Sequence, residues 1–176
     1  MYKLIIMAIK KLGKEVGIPH KQAEIVPSLA RVESGIPGLD KLLHGGFPEI
    51  STVMVSGASG TGKTMFATQA LFHAASLGQK VLYVTFSEPV YKVVNFASNL
   101  SFFNLKLIGE DRFRILDLGP HSEKASSEDI VEKIVDGCKT FKPRRLAVDP
   151  VTMIGYLSKS ELEIRQATLN LGNALS

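Results

Sequence analysis

The chain has no tryptophan and one cysteine, Cys138. A lone cysteine excludes an internal disulfide and fits a reducing compartment. The four histidines, His20, His44, His73 and His121, are scattered and show no metal-ligand spacing. No apolar run approaches the length of a membrane span. The segment Met1 to Lys11 carries a brief apolar run but no cleavage-site pattern, so it does not read as a signal peptide. The expected location is therefore the cytoplasm. Net charge is also small: it is formally +4, too little by itself to argue nucleic-acid binding. Hydrophobic residues make up 45% and charged residues 22% of the 176 positions, which excludes a disordered chain and allows one domain with a buried core.

What the chain does have is a glycine-framed loop, Gly57-Ala58-Ser59-Gly60-Thr61-Gly62-Lys63-Thr64. This is G-x-x-x-x-G-K-[ST], the phosphate-binding pattern. The apolar run Thr52 to Ser56 before it reads as a strand, and a helical pattern follows it. Strand, loop and helix together give the motif its structural context. Glycines let several backbone N–H groups turn inward on phosphates. The helix start adds free N–H groups and the positive end of its dipole. Lys63 supplies a full charge for the outer phosphates, and Thr64 a hydroxyl for Mg²⁺.

Around this loop, strand-like and helical segments alternate. Leu4, Ile5, Ala8, Leu12 and Val16 recur at helical spacing, with Lys10, Lys11 and Lys14 beside them. Residues 1–27 are thus expected to form a basic, helical appendage. Residues 31–50 hold turn residues around a short helix, Leu39 to Leu43. The helix after the loop runs to about Leu77 and is capped by Gly78, with Phe66, Ala67, Ala70, Leu71, Ala74 and Leu77 on its buried face. Lys80 to Phe86 reads as a strand covered on both faces. Ser87-Glu88-Pro89 leads into a helix with Val90, Val93, Val94, Ala97 and Leu100 on its inner stripe. Arg112 to Leu118 alternates like an outer strand. A helix capped by Ser126 and Asp129 carries Ile130, Val131, Ile134, Val135, Cys138 and Phe141 inward and ends at Pro143. Leu146 to Asp149 is a further buried strand, and a last helix is expected from Ser160.

The alternation predicts an α/β fold, a parallel sheet with helices on both faces. Ligands in such sheets sit at the carboxyl ends of the strands, where the loop, Ser87-Glu88 and Asp149 meet. Asp149, at the end of an apolar strand, is the expected Mg²⁺ counterpart of Thr64. Glu88 is the candidate to polarise an attacking water. No Asn-Lys-x-Asp guanine motif is present, which favours ATP or ADP.

These residues resemble the KaiC-like branch of the RecA superfamily of ATPases, over about residues 31 to 176. The resemblance rests on Ser34 to Asp40 and Leu42 to Gly46 before the first strand, on Val55 to Thr64, on Val81 to Glu88, and on Arg145 to Asp149. It implies a three-layer RecA-like phosphate-loop domain over residues 28–176 and ATP with Mg²⁺ as ligands. By resemblance it also implies a homo-oligomer with nucleotide between subunits. Two positions depart from the pattern. Ser87 stands where the family usually has the first of two glutamates, the water-activating one, so turnover is expected to be weak at most. Pro150 stands where serine is common. In the RecA-like sheet, the strand between the phosphate-loop strand and the Asp149 strand comes later in sequence than Asp149. The sheet is therefore expected to lack its later strands and to have a gap at that place. The functions this leaves open are an ATP-binding protein with weak hydrolysis, a nucleotide sensor that does not hydrolyse, and an accessory protein of DNA recombination using the basic N-terminal segment or residues 150–160.

Overall fold

The computed structural model describes residues 2–8, 30–122 and 125–157. In chain order the elements are β1 (Tyr2–Ala8), β2 (Arg31–Val32), α1 (Leu39–Leu42), β3 (Phe47–Pro48), β4 (Thr52–Gly57), α2 (Lys63–Ser76), β5 (Val81–Thr85), α3 (Val90–Ser98), α4 (Leu105–Gly109), β6 (Phe113–Asp117), α5 (Gly119–Ser122), α6 (Ser127–Phe141), β7 (Arg145–Asp149) and α7 (Thr152–Leu157).

Five strands form the main sheet in the order β4-β1-β7-β5-β6. β5 pairs in parallel with both β6 and β7. Side-chain parity divides each inner strand between two cores. Val81, Tyr83 and Ala147 face α2 and α4, packing with Ala67, Ala70, Leu71, Phe72 and Leu107. Leu82, Val84, Leu146 and Val148 face the other way, against Ile130, Ile134, Cys138 and Phe141 of α6. Both faces of the inner strands are therefore covered, which explains their unbroken apolar runs. β6 is an edge strand, as its alternation predicts, and Arg114 on it is exposed.

The expected helices form with small differences. α2 ends at the expected place, and Gly78 follows it at φ 84°. Leu77 is exposed rather than buried, and Phe72 takes the core position, stacked on Phe113 at 4.2 Å between ring centroids. On α3 only Val93 and Ala97 are buried, while Val90 is exposed. Ser126 and Asp129 form a reciprocal capping box at the start of α6. Cys138 is buried on that helix, and burial pushes its thiol up to about 12, so it is an inert core residue.

The N-terminal segment corrects two expectations. Tyr2–Ala8 is a strand, not the start of a helix, and it lies inside the main sheet, between β4 and β7. It pairs antiparallel with β4 from Tyr2↔Gly57 to Met7↔Thr52, and antiparallel with β7 from Ile5↔Val148 to Ala8↔Arg145. The place expected to be a gap is thus occupied, and the sheet is mixed rather than wholly parallel. The physical reason lies in the length of the run. Seven residues carrying Tyr2, Ile5 and Ile6 satisfy a short strand as well as a helix, and periodicity alone does not separate the two. Pairing on both sides satisfies two rows of backbone groups that would otherwise be left bare. The expected helical positions Leu12 and Val16, the lysines 10, 11 and 14, and the helix expected from Ser160 lie outside the described residues.

The lead-in to β4 folds as a small unit against α2. β2 and β3 pair as Arg31↔Pro48 and Val32↔Phe47. Asp40 accepts from Ser34 N at 2.8 Å and from Gly35 N at 3.4 Å. Gln69 on α2 donates to Gly35 O at 3.1 Å. Buried Arg145 ties this unit to the sheet, donating to Glu33 O at 2.7 Å and to Gln79 Oε1 at 3.1 Å.

Candidate functional site

The carboxyl ends of β4, β5 and β7 open on a cleft of about 680 Å³. Its lining brings the three predicted groups together: Ser59, Gly60, Gly62, Lys63 and Thr64 of the loop, Ser87 and Glu88 after β5, and Asp149 after β7. A volume of several hundred Å³ is ordinary for a small-molecule or cofactor site. Gly57, Ala58 and Thr61 are not on the lining. The last two shape the loop, because Thr61 Oγ1 donates to Ala58 O at 2.9 Å. Gly60 and Gly62 have φ of 79° and 86°, a region glycine enters without cost. Those two residues turn the backbone into α2, whose first hydrogen bond runs from Phe66 N to Gly62 O at 2.8 Å.

Lys63 is the first residue of α2, and its Nζ donates to Ala58 O at 2.6 Å. Thr64 stands next to it. Its Oγ1 donates to Asp149 Oδ2 at 2.6 Å, across 85 residues of sequence. Tyr83 Oη donates to the same oxygen at 2.8 Å. Burial, then the neighbouring Asp149 carboxylate, pushes the Tyr83 phenol far above its usual range, so it is a fixed donor. The Asp149–Pro150 peptide is cis.

Glu88 lies in the cleft wall, its carboxylate 3.7 Å from Lys92 Nζ on the next turn. Its backbone is held from β5, with Thr85 Oγ1 donating to Glu88 O at 2.9 Å and accepting from Glu88 N at 3.2 Å. Lys92, Val93, Asn95 and Phe96 extend the cleft wall along α3.

Tyr83, Thr85 and Lys92 also line the cleft, outside any motif the sequence displays. A tyrosine in a buried run reads as bulk, yet its hydroxyl demands a partner. Its place two residues before the ligand edge was the available signal. Lys92 was signalled by its i,i+4 spacing from Glu88.

The donors suit a hard divalent cation. Thr64 and Asp149 offer one hydroxyl and one carboxylate, both oxygen, beside a loop shaped for phosphates. Mg²⁺ is usually held by one or two carboxylates, with water and phosphate completing the shell. Among the described residues no cluster of three or more His, Cys, Asp or Glu side chains could hold a metal.

The family model described as "ATPase: KaiC" matches residues 32–176. This chain belongs to the KaiC family of ATPases. KaiC, the circadian clock oscillator protein of Prochlorococcus marinus, is 30% identical over 155 residues, which cover 84% of this chain and 29% of that protein. A UPF0273 protein of Thermotoga maritima is 32% identical over 148 residues, covering 74% of this chain and 59% of the relative. The crystal structure of a KaiC-like protein from Pyrococcus horikoshii matches with a TM-score of 0.67 at 29% identity, over 84% of this chain and 65% of the other. This KaiC-like chain therefore spans less than two thirds of the length of these relatives. Its fold is that of a RecA-like phosphate-loop domain, with β1 between the phosphate-loop strand β4 and the Asp149 strand β7. Among the described residues no helix is long and apolar enough to cross a membrane.

Proposed function

We propose that this KaiC-like domain binds ATP and ADP with Mg²⁺ and hydrolyses ATP weakly at most. The observation that carries the reading is the 2.6 Å bond between Thr64 and Asp149, at the floor of a cleft framed by the phosphate loop. Loop amides from Gly57 to Thr64 and the start of α2 would hold the phosphates. Lys63 Nζ, now on Ala58 O, would turn to the β- and γ-phosphate oxygens. Thr64 Oγ1 and Asp149 would hold Mg²⁺, which supplies charge neutralisation between the phosphates. Glu88 would orient water from the cleft wall. Family resemblance adds a homo-oligomer, and light scattering with and without nucleotide tests it.

Calorimetry with ATP–Mg²⁺ tests the binding reading. Lys63→Ala should weaken affinity roughly a hundredfold, since a charged hydrogen-bond set is worth about 3 kcal/mol. Unchanged affinity would remove the proposal.

A second reading, a nucleotide sensor without turnover, is favoured by Ser87, a side chain that offers no general base at the place where the family usually has its first glutamate. Single-turnover phosphate release separates the two. Release that Glu88→Gln abolishes supports the ATPase, and tight binding without release supports the sensor.

A further inference from the structure

Tyr83 is held in the core by packing that does not need its hydroxyl. The ring lies in the layer facing α2, among Val81, Ala70 and Leu71. Its register partner on β7 is Ala147, a small residue beside which the ring can reach toward the strand end. Phenylalanine would fill that space equally. The hydroxyl emerges at the ligand edge, and its acceptor is not a backbone carbonyl but the carboxylate opposite Thr64.

Both hydrogen bonds that the Asp149 carboxylate accepts among the described residues fall on Oδ2: Thr64 at 2.6 Å and Tyr83 at 2.8 Å. A carboxylate oxygen has two lone pairs. Oδ2 is therefore fully engaged, and the carboxylate has one oxygen left to offer. We propose that Tyr83 is a positioning residue that pins Asp149 Oδ2, restricts the carboxylate to one-oxygen contact with a divalent cation, and so favours Mg²⁺ over Ca²⁺. The chemistry follows from the coordination habits of the two ions. Mg²⁺ keeps a tight octahedron with several waters, which a single carboxylate oxygen can meet directly or through water. Ca²⁺ takes six to eight oxygens and gains from bidentate carboxylates. Bidentate contact here must displace either the Thr64 or the Tyr83 bond from Oδ2, and while Thr64 keeps its bond the displaced group is the buried Tyr83 phenol, left without an acceptor. The inference rests on the reading of the cleft as a nucleotide–metal site.

The test is Tyr83→Phe, read by calorimetry of ADP binding in Mg²⁺, in Ca²⁺ and in chelator, with a thermal melt alongside. Loss of a group that orients a metal ligand typically costs ten- to a hundredfold in metal affinity. The ratio of Mg²⁺-supported to Ca²⁺-supported ADP affinity is expected to fall about tenfold, with binding in chelator unchanged. A variant that melts lower yet keeps the wild-type ratio would show a structural hydroxyl and overturn the proposal. A wild type that binds ADP without any metal dependence would overturn the nucleotide–metal reading, and this inference with it. Should Tyr83→Phe fail to fold, wild-type protein labelled with ¹³C at the tyrosine ring Cζ reads the bond directly. The signal is assigned by eliminating Tyr2, Tyr91 and Tyr156 through phenylalanine variants. A Tyr83 resonance that stays in place on adding Mg²⁺–ADP and moves on adding Ca²⁺–ADP supports the proposal. Any other pattern overturns it.

Discussion

Gly35 shows how closely single residues are fitted behind the site. Its φ is 71°, and a methyl group there would overlap the His73 ring on α2. Its carbonyl meanwhile accepts from Gln69. Gly35→Ala should lower stability by about 2 kcal/mol, from backbone strain and displacement of the ring together. A urea midpoint unchanged from wild type would contradict this. At this scale the sequence was most informative where chemistry demands a residue type. The motif and the two strand-end acids were expected at one edge of the sheet, and Ser59, Gly60, Gly62, Lys63, Thr64, Glu88 and Asp149 do line a single cleft there. Tyr83 was not legible, since its acceptor Asp149 is brought near only by folding; Thr85 was not either, although its contacts to the Glu88 backbone are local, because a threonine in an apolar strand carries no motif. Gly35 could be read as a turn residue, but the ring it faces could not.

The lead-in unit is an element whose stability depends on pH. Burial pushes the Asp40 carboxyl up, but hydrogen bonds from Ser34 and Gly35 outweigh it, and it ends below the usual carboxylate value. A depressed carboxyl stabilises the fold above its unfolded pKa, near 4. That contribution is lost as pH falls through the lower, folded value. Urea midpoints of wild type and Asp40→Asn should therefore differ at pH 7 and converge as pH drops below about 4. A constant difference would show that Asp40 acts by packing alone. Helices and inner strands were largely readable at this scale. Apolar stripes are enforced by two covered sheet faces, and the Ser126–Asp129 box announces itself by spacing. β1 was misread because a seven-residue apolar run carries no period that distinguishes strand from helix.

At the scale of the molecule, β1 joins two halves of the site. One neighbour, β4, runs into the phosphate loop, and the other, β7, ends at Asp149. No pattern in the sequence states which strands are neighbours. A strand borrowed from the start of the chain could only be found in the folded sheet. Deleting residues 1–8 would bare both facing rows of β4 and β7. At about 1 kcal/mol net per hydrogen bond, the loss rivals the whole stability of a small domain. The shortened protein is expected to aggregate or to lose its cooperative melt, and a synthetic peptide of residues 2–8 to restore it. A cooperative melt at the wild-type temperature would refute the role assigned to β1.

The direction of β1 has a practical corollary for anyone handling this protein. Because Tyr2 is the register partner of Gly57, β1 starts at the sheet edge from which the phosphate-loop motif leads off. An affinity tag fused upstream would be attached at that edge, and a polyhistidine one would carry its own metal-binding groups. Nucleotide and cation affinities should accordingly be measured on protein freed of such an extension.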